Sequence, residues 1–377
     1  MFFRTAQDWW NLARTLSFEP HEPSAGYGSQ ASFRQLKRAL GPVVGPPAKW
    51  EHWMYGRRNG RESIVLQYET GSGSNRSTWT AIVVRIDPPL FLGASIGREG
   101  FLSDLFGGVD VQLGIPAFDK ELRLGAFDQD RLRVLLYPSD PQSTTTLQAL
   151  VRCTRDGMHV TDSTAVFALS GVVCDPIAVA QRLEQATWIA GELGRRRASM
   201  PVTPSEIAHR TEWQAYADRM RLKFEPLEMK IQGEINGTRI EVALETNGAR
   251  VQTAVTVRWP RELGVNVRLR KASGFSFLGS LFSQDIATGD PAFDGMFQIQ
   301  GYPEPWVRQV FAHPDLRATL RNVAAGASEL TMNNTGVFWL WPGPALSRTD
   351  LDAHVSMAIR ASNDLFGTAQ SLGPYRT

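Results

Sequence analysis

Apolar and polar residues alternate with a period of two along much of this chain. Ile240-Glu241-Val242-Ala243-Leu244 and Val251-Gln252-Thr253-Ala254-Val255-Thr256-Val257 show the pattern, which predicts strands with one buried face. Short turns join these runs, so antiparallel pairing without crossover helices is expected. Asn59-Gly60 and Asn236-Gly237 suit tight turns, because both residue types tolerate positive φ. Helical periodicity brackets the strands. It is carried by segments around Trp9 and Trp10 and around Trp213, by residues near Trp306 to Val323, and by terminal runs from Ile177 to Leu193 and from Leu351 to Phe366. The expected class is α+β, a mainly antiparallel sheet with flanking helices, and not a doubly wound α/β sheet.

The chain carries this pattern twice. Pro116-Ala117-Phe118-Asp119 recurs 175 residues later, at 291 against 116, as Pro291-Ala292-Phe293-Asp294. Leu16-Ser17-Phe18-Glu19-Pro20 matches Leu222-Lys223-Phe224-Glu225-Pro226, Thr80–Arg85 matches Thr253–Arg258, and Thr164-Ala165-Val166-Phe167 matches Thr335-Gly336-Val337-Phe338. Two homologous units of ordinary domain size are therefore expected. They are residues 1–193, with an insert at about 21–52, and residues 206–377. The insert follows from an offset of 206 at the first landmark (16 to 222) against 177 at the next (59 to 236), about 29 extra residues in the first copy. Between the units, Gly194-Arg195-Arg196-Arg197-Ala198-Ser199 begins a stretch of linker composition over 194–205. Thr203-Pro204-Ser205-Glu206 then supplies a helix start, with Thr203 as cap and Glu206 reaching back to it.

Composition changes this picture little. Apolar residues make up 42% and charged residues 21%, as in ordinary globular proteins. The balance of 40 basic against 38 acidic residues gives no overall basic excess for capturing nucleic acid. The N-terminus meets Arg4 before a secretory apolar region could form, and no apolar run approaches membrane-spanning length, so a cytoplasmic setting without a membrane span is expected. Cys153 and Cys174 are the only cysteines and are read as reduced. The six histidines lack metal-ligand spacing, and no cofactor is expected.

Three features invite chemistry. The second copy reads Asp285-Ile286-Ala287-Thr288-Gly289-Asp290-Pro291-Ala292-Phe293-Asp294, and the first keeps Asp110 and Asp119. Clustered carboxylates of this kind suit a metal-assisted or hydrolytic site, although Asp at strand ends more commonly ties down backbone amides. Gly93-Ala94-Ser95-Ile96-Gly97 fits the pattern of a nucleophile elbow but lacks the alternating strands and helices that such an elbow needs. Arg195, Arg196 and Arg197 form the compact basic cluster, a candidate contact for an anion.

Val337-Phe338-Trp339-Leu340-Trp341 is the sharper feature. Period-two geometry puts Phe338 and Leu340 on one face and Trp339 and Trp341 on the other. Matched to the first copy as above, the tryptophans replace Ala168 and Ser170 on a face that the copies do not share. Two large aromatics on a freed face make a candidate partner surface.

At the Gly-Asp-Pro-Ala-Phe-Asp segment, followed by Phe297 and Ile299 in strand spacing, the chain resembles uncharacterised bacterial proteins with a glycine-aspartate-proline-x-phenylalanine-aspartate signature. The first copy departs from it, with Ile115 in place of the first aspartate. The resemblance implies a bacterial origin and no activity. The function expected from the residues is that of a non-enzymatic binding or adaptor protein with a protein partner. The alternative is an enzyme built on the aspartate-rich turn.

Overall fold

The computed structural model describes residues 6–21, 50–70, 76–98, 110–137, 139–171, 173, 175–247, 250–263, 266–271 and 286–373. The chain divides into two compact units, Met1–Pro201 with Thr246–Val251, and Val202–Glu245 with Gln252–Thr377. Most of the expected insert lies outside the described residues, as do Cys174 and Asp285.

The first unit runs α1 (Ala6–Leu16), β1 (Glu19–His21), β2 (Trp50–Arg58), β3 (Arg61–Thr70), β4 (Ser77–Arg85), β5 (Ser95–Gly97), α2 (Pro116–Asp119), β6 (Arg123–Gly125), α3 (Gln129–Leu136), α4 (Pro141–Arg155), β7 (Met158–Thr161), β8 (Thr164–Ser170) and α5 (Pro176–Ser199). Its sheet has the order β1-β2-β3-β4-β8-β7-β5-β6. The second unit runs α6 (Pro204–Met220), β9 (Lys223–Glu225), β10 (Lys230–Ile235), β11 (Thr238–Asn247), β12 (Arg250–Arg258), β13 (Asn266–Lys271), α7 (Pro291–Asp294), β14 (Phe297–Tyr302), α8 (Glu304–Phe311), α9 (Pro314–Gly326), β15 (Glu329–Asn333), β16 (Gly336–Pro342) and α10 (Arg348–Ser371). Its order is β9-β10-β11-β12-β16-β15-β13-β14. The two sheets therefore agree strand for strand, and the fold is the expected α+β class built as two tandem copies.

Local chemistry accounts for the ends of the elements. Asn59 and Gly60 join β2 to β3 with φ of 49° and 76°, and Asn236 and Gly237 join β10 to β11 with φ of 48° and 79°. Two consecutive positive φ values match the right-handed twist of a hairpin. Thr203 and Glu206 form the anticipated capping box on α6, and Ser347 with Asp350 forms another on α10. The terminal helix of the first unit, α5, packs across β4 and β8, while α10 lies against β16, α6 and α9.

The core of the first unit fills the helix-covered face of its sheet. Leu12, Ile82, Ile96, Phe167, Leu183 and Ile189 all belong to it and are 0–1% exposed. The opposite face is buried as well, through Trp53, Ile64, Leu66, Tyr68, Val83 and Val166. In the second unit, Ala254, Phe338 and Leu340 form the corresponding small cluster.

Three expectations need correction. The residues of the expected linker through Ser199 are helical and belong to α5. Gly194, which reads as a linker residue, is there because a Cβ would lie 2.4 Å from the Asp87 carbonyl oxygen, so its lack of a side chain lets the helix approach the chain beyond β4. Second, the landmark at the first strand is shifted by two. Ser17 and Arg221 both end their helices at positive φ, of 58° and 56°, and the next amides, of Phe18 and Leu222, donate to Ala13 and Ala217 at 2.8 Å. Phe18 lies over Gly56 and Leu222 over Gly233, where a Cβ would come within 2.2 Å and 2.7 Å of them. Phe18 thus corresponds to Leu222 and not to Phe224. Third, Val84 pairs with Ala165, whereas its counterpart Val257 pairs with Val337. The match of β8 with β16 is therefore shifted by one residue, and Phe167 corresponds to Trp339.

Candidate functional site

That one-residue shift decides the fate of the tryptophan pair. In a strand it exchanges the two faces, so Trp339 and Trp341 stand where the first copy has Phe167 and Leu169, on the helix-covered face. They are 0% and 3% exposed. Their rings stack at 5.9 Å, and Trp341 stacks on His354 of α10 at 4.7 Å. The pair is core beneath a helix and not a partner surface. The residues on the other face are Phe338 and Leu340.

The aspartates of the repeated turn serve the backbone. Asp119 accepts from the amides of Leu113 at 2.7 Å and Ile115 at 2.8 Å. Its counterpart Asp294 accepts from the Thr288 amide at 2.9 Å and the Thr288 hydroxyl at 2.7 Å. Asp290 caps α7 through the amides of Ala292 and Phe293, and its other oxygen lies 3.4 Å from both Arg317 and Arg321. The Phe293 amide and then the two arginines hold its carboxyl below the usual range. Asp110 accepts from the Leu124 amide and pairs with Arg123 at 2.7 Å. Phe293 pins the turn by packing its ring, tilted, against Phe297 at 4.6 Å and Phe311 at 6.1 Å. Asp290 and Asp294 are thus committed to separate groups of amides, and Asp285 lies outside the described residues. Among the described residues no three His, Cys, Asp or Glu side chains are placed to hold a metal ion.

The arginine cluster is equally committed. Arg195 forms a two-pronged pair with Glu192, and Arg196 donates to the Tyr137 carbonyl at 2.7 Å. Arg196 and Arg197 are 9% and 5% exposed, so the three arginines do not form a solvated anion site. Ser95 of the elbow pattern is a buried strand residue. The preceding amides of Leu92, Gly93 and Ala94 all donate to the fully buried Asp162 carboxylate. Burial pushes that carboxyl up to about 6 against these donors and the Arg197 charge.

What remains is the solvent-facing side of the second sheet at β13 and β14. Strand alternation places Val267 and Leu269 in the core and turns Arg268 and Arg270 to the other side. Arg268 pairs with Gln300, Arg270 with Gln298, and Arg270 also with Thr331 of β15. Arg268, Arg270 and Gln300 are exposed, and Tyr302 at the end of β14 is 77% exposed. Arg258 of β12 belongs to the same face and is half-buried. In the first sheet Ile96 pairs with Val160 and Leu124, which makes Ser95, Gly97, Arg123 and Gly125 the counterparts of Arg268, Arg270, Gln298 and Gln300. Ser95 and Gly97 are buried. The copies thus differ here: Arg268, Arg270 and Gln300 of the second are exposed where the first has the buried Ser95 and Gly97 and the half-buried Gly125, while Gln298 corresponds to the exposed Arg123 of the first and Tyr302 to its exposed Phe127. The alternation Val267-Arg268-Leu269-Arg270 is the sequence signal for this face.

A shallow groove of about 600 Å³ also runs along α6, between Ile207, Gln214 and Asp218 on the helix and Phe224 and Pro226 beyond it. Its polar groups are partly spent on each other, since Gln214 donates to Asp218 at 2.7 Å. Among the described residues no helix is long and apolar enough to cross a membrane.

No protein-family model and no curated protein matches the chain. Among solved structures, the crystal structure of the mycobacterial trehalose monomycolate transport factor A is similar over 45% of this chain and 99% of that one, at 12% identity and a TM-score of 0.32. A likeness at that score carries no argument about this protein.

Proposed function

We propose that this is a non-enzymatic binding or adaptor protein that captures a protein partner on the exposed face of β13 and β14. One observation carries the reading: exposed Arg268, Arg270 and Gln300 stand where the other copy of the same scaffold has Ser95, Gly97 and Gly125. Function is added to a fold at sites and not by the fold itself, and Arg268, Arg270 and Gln300 are the side chains added here, beside an exposed aromatic, Tyr302, that the first copy also has as Phe127. The aspartates that both copies retain, Asp119 and Asp294, are occupied in holding turns together, which favours binding over catalysis. A cytoplasmic setting belongs to the same proposal and is in keeping with the free, buried Cys153 thiol.

The test is cross-linked capture from the native cell with the wild type and the Arg268→Glu, Arg270→Glu double variant, read by mass spectrometry. Loss of a specific partner from the variant alone is expected. A partner captured equally by both would remove this face from the reading.

A further inference from the structure

We infer that the occupant of this face is an extended acidic peptide segment, bound along β13 with alternate carboxylates on Arg268 and Arg270. The inference rests on the reading of this face as a binding surface and names the chemistry of its partner.

Charge and spacing carry it. Residues two apart on a strand face the same way and lie about 7 Å apart. An extended peptide alongside repeats its own side chains at the same interval, so acidic residues at every second position meet Arg268 and Arg270 in turn. Guanidinium is the cation suited to carboxylate because its planar donors bind both oxygens at once. Arg268 also takes part in an interaction within the protein. A guanidinium offers about five N–H donors, so such an interaction and a carboxylate can share it.

Gln298 and Gln300 flank the arginines in register and can bond to the peptide backbone. The exposed ring of Tyr302 offers an apolar contact at the end of the row. Single-stranded nucleic acid would call for successive aromatic rings beside the positive charge. Here Tyr302 is peripheral, and Phe338, on the same face, is 3% exposed, so the surface suits carboxylates better than bases.

The experiment is fluorescence anisotropy on the full chain with a labelled peptide of alternating glutamate and serine, over a salt series. The expected result is binding that weakens with salt, falls about tenfold or more in the Arg268→Glu, Arg270→Glu variant, and is unchanged in Arg14→Glu, an exposed arginine of α1. An Arg268→Gln, Arg270→Gln variant with unchanged thermal unfolding guards against a folding defect and should also lose affinity. Equal binding by all variants, or tighter binding of an oligothymidylate than of the peptide, would overturn the inference. If the peptide is not bound while cellular capture still depends on Arg268 and Arg270, the partner chemistry is wrong and the binding face stands.

Discussion

Phe167 and Trp339 occupy the same position in two copies of one sheet: Phe167 pairs with Ile82 across β4, and Trp339 with Val255 across β12. Both rings are fully buried. Arg182 of α5 lies over the first at 5.2 Å, and the second stacks on Trp341, which meets α10. Truncating such a ring leaves a cavity, so Trp339→Ala should cost about 3–5 kcal/mol. The indole N–H of Trp339 is buried without a hydrogen-bond partner. Trp339→Phe, which restores the residue of the first copy and removes that donor, should therefore cost less than about 1.5 kcal/mol. Urea unfolding of the two variants checks the contrast; equal losses would show that the ring is not packed as described.

Two glycines of the second unit should respond in opposite directions to the same change. A Cβ on Gly336 would lie 2.2 Å from the Val257 carbonyl oxygen, a backbone atom that cannot turn aside. Gly336→Ala should therefore destabilise by about 1–3 kcal/mol. Gly367, inside α10, has nothing within 4 Å of the same atom. Gly367→Ala should stabilise by up to about 1 kcal/mol, because alanine loses less backbone freedom in a helix. Thermal unfolding of both variants reads the sign directly.

Lys271 joins β13 to the end of α9. Its ammonium donates to the carbonyl oxygens of Ala324 and Ala327, which are left without partners where the helix stops. Burial lowers its pKa, yet the charge is well placed at the negative end of a helix. Lys271→Met keeps most of the stem and removes the donor, and should cost about 1–3 kcal/mol. Hydrogen exchange of α9 should quicken in that variant; unchanged protection would mean that the contact contributes nothing.

His159 of β7 sets a pH dependence. Burial lowers its pKa from 6.5 to about 4, so between those values the unfolded chain binds a proton that the folded chain refuses. Its contribution is fully present above about 6.5 and is lost as the pH falls towards 4, by up to about 3 kcal/mol. Asp162 acts in the opposite direction. Raised to about 6, it holds a proton in the folded chain that the unfolded chain releases, so its contribution grows as the pH falls from 6 to 4. The difference in stability between wild type and His159→Gln should therefore shift in favour of the variant on acidification. Urea midpoints measured from pH 7 to about pH 4.5 test this. A difference independent of pH would assign the histidine to contact with water.

Features that depend on a few neighbouring residues were legible in the chain itself. The Asn-Gly hairpins, the capping box of Thr203 with Glu206, the alternating strands and the tandem duplication all follow from local φ preference, hydrogen bonding and periodicity. The aspartates were legible in part, since their usual service to nearby amides is also local. The tertiary structure decided what depends on register and coverage. Whether Trp339 faces a helix or the opposite side turned on one residue of offset, and that offset is set by pairing with β12, about 80 residues away in the chain. Gly194, Arg196 and Arg197 have the composition of a linker, and only the packing of α5 on the sheet makes them interior. Arg268 and Arg270 have the same strand spacing as residues that lie buried in the first copy. They become a surface because the β13–β14 end of their face is exposed while Phe338 and Leu340 of the same face are buried, and coverage is a property of the whole fold that no local preference encodes.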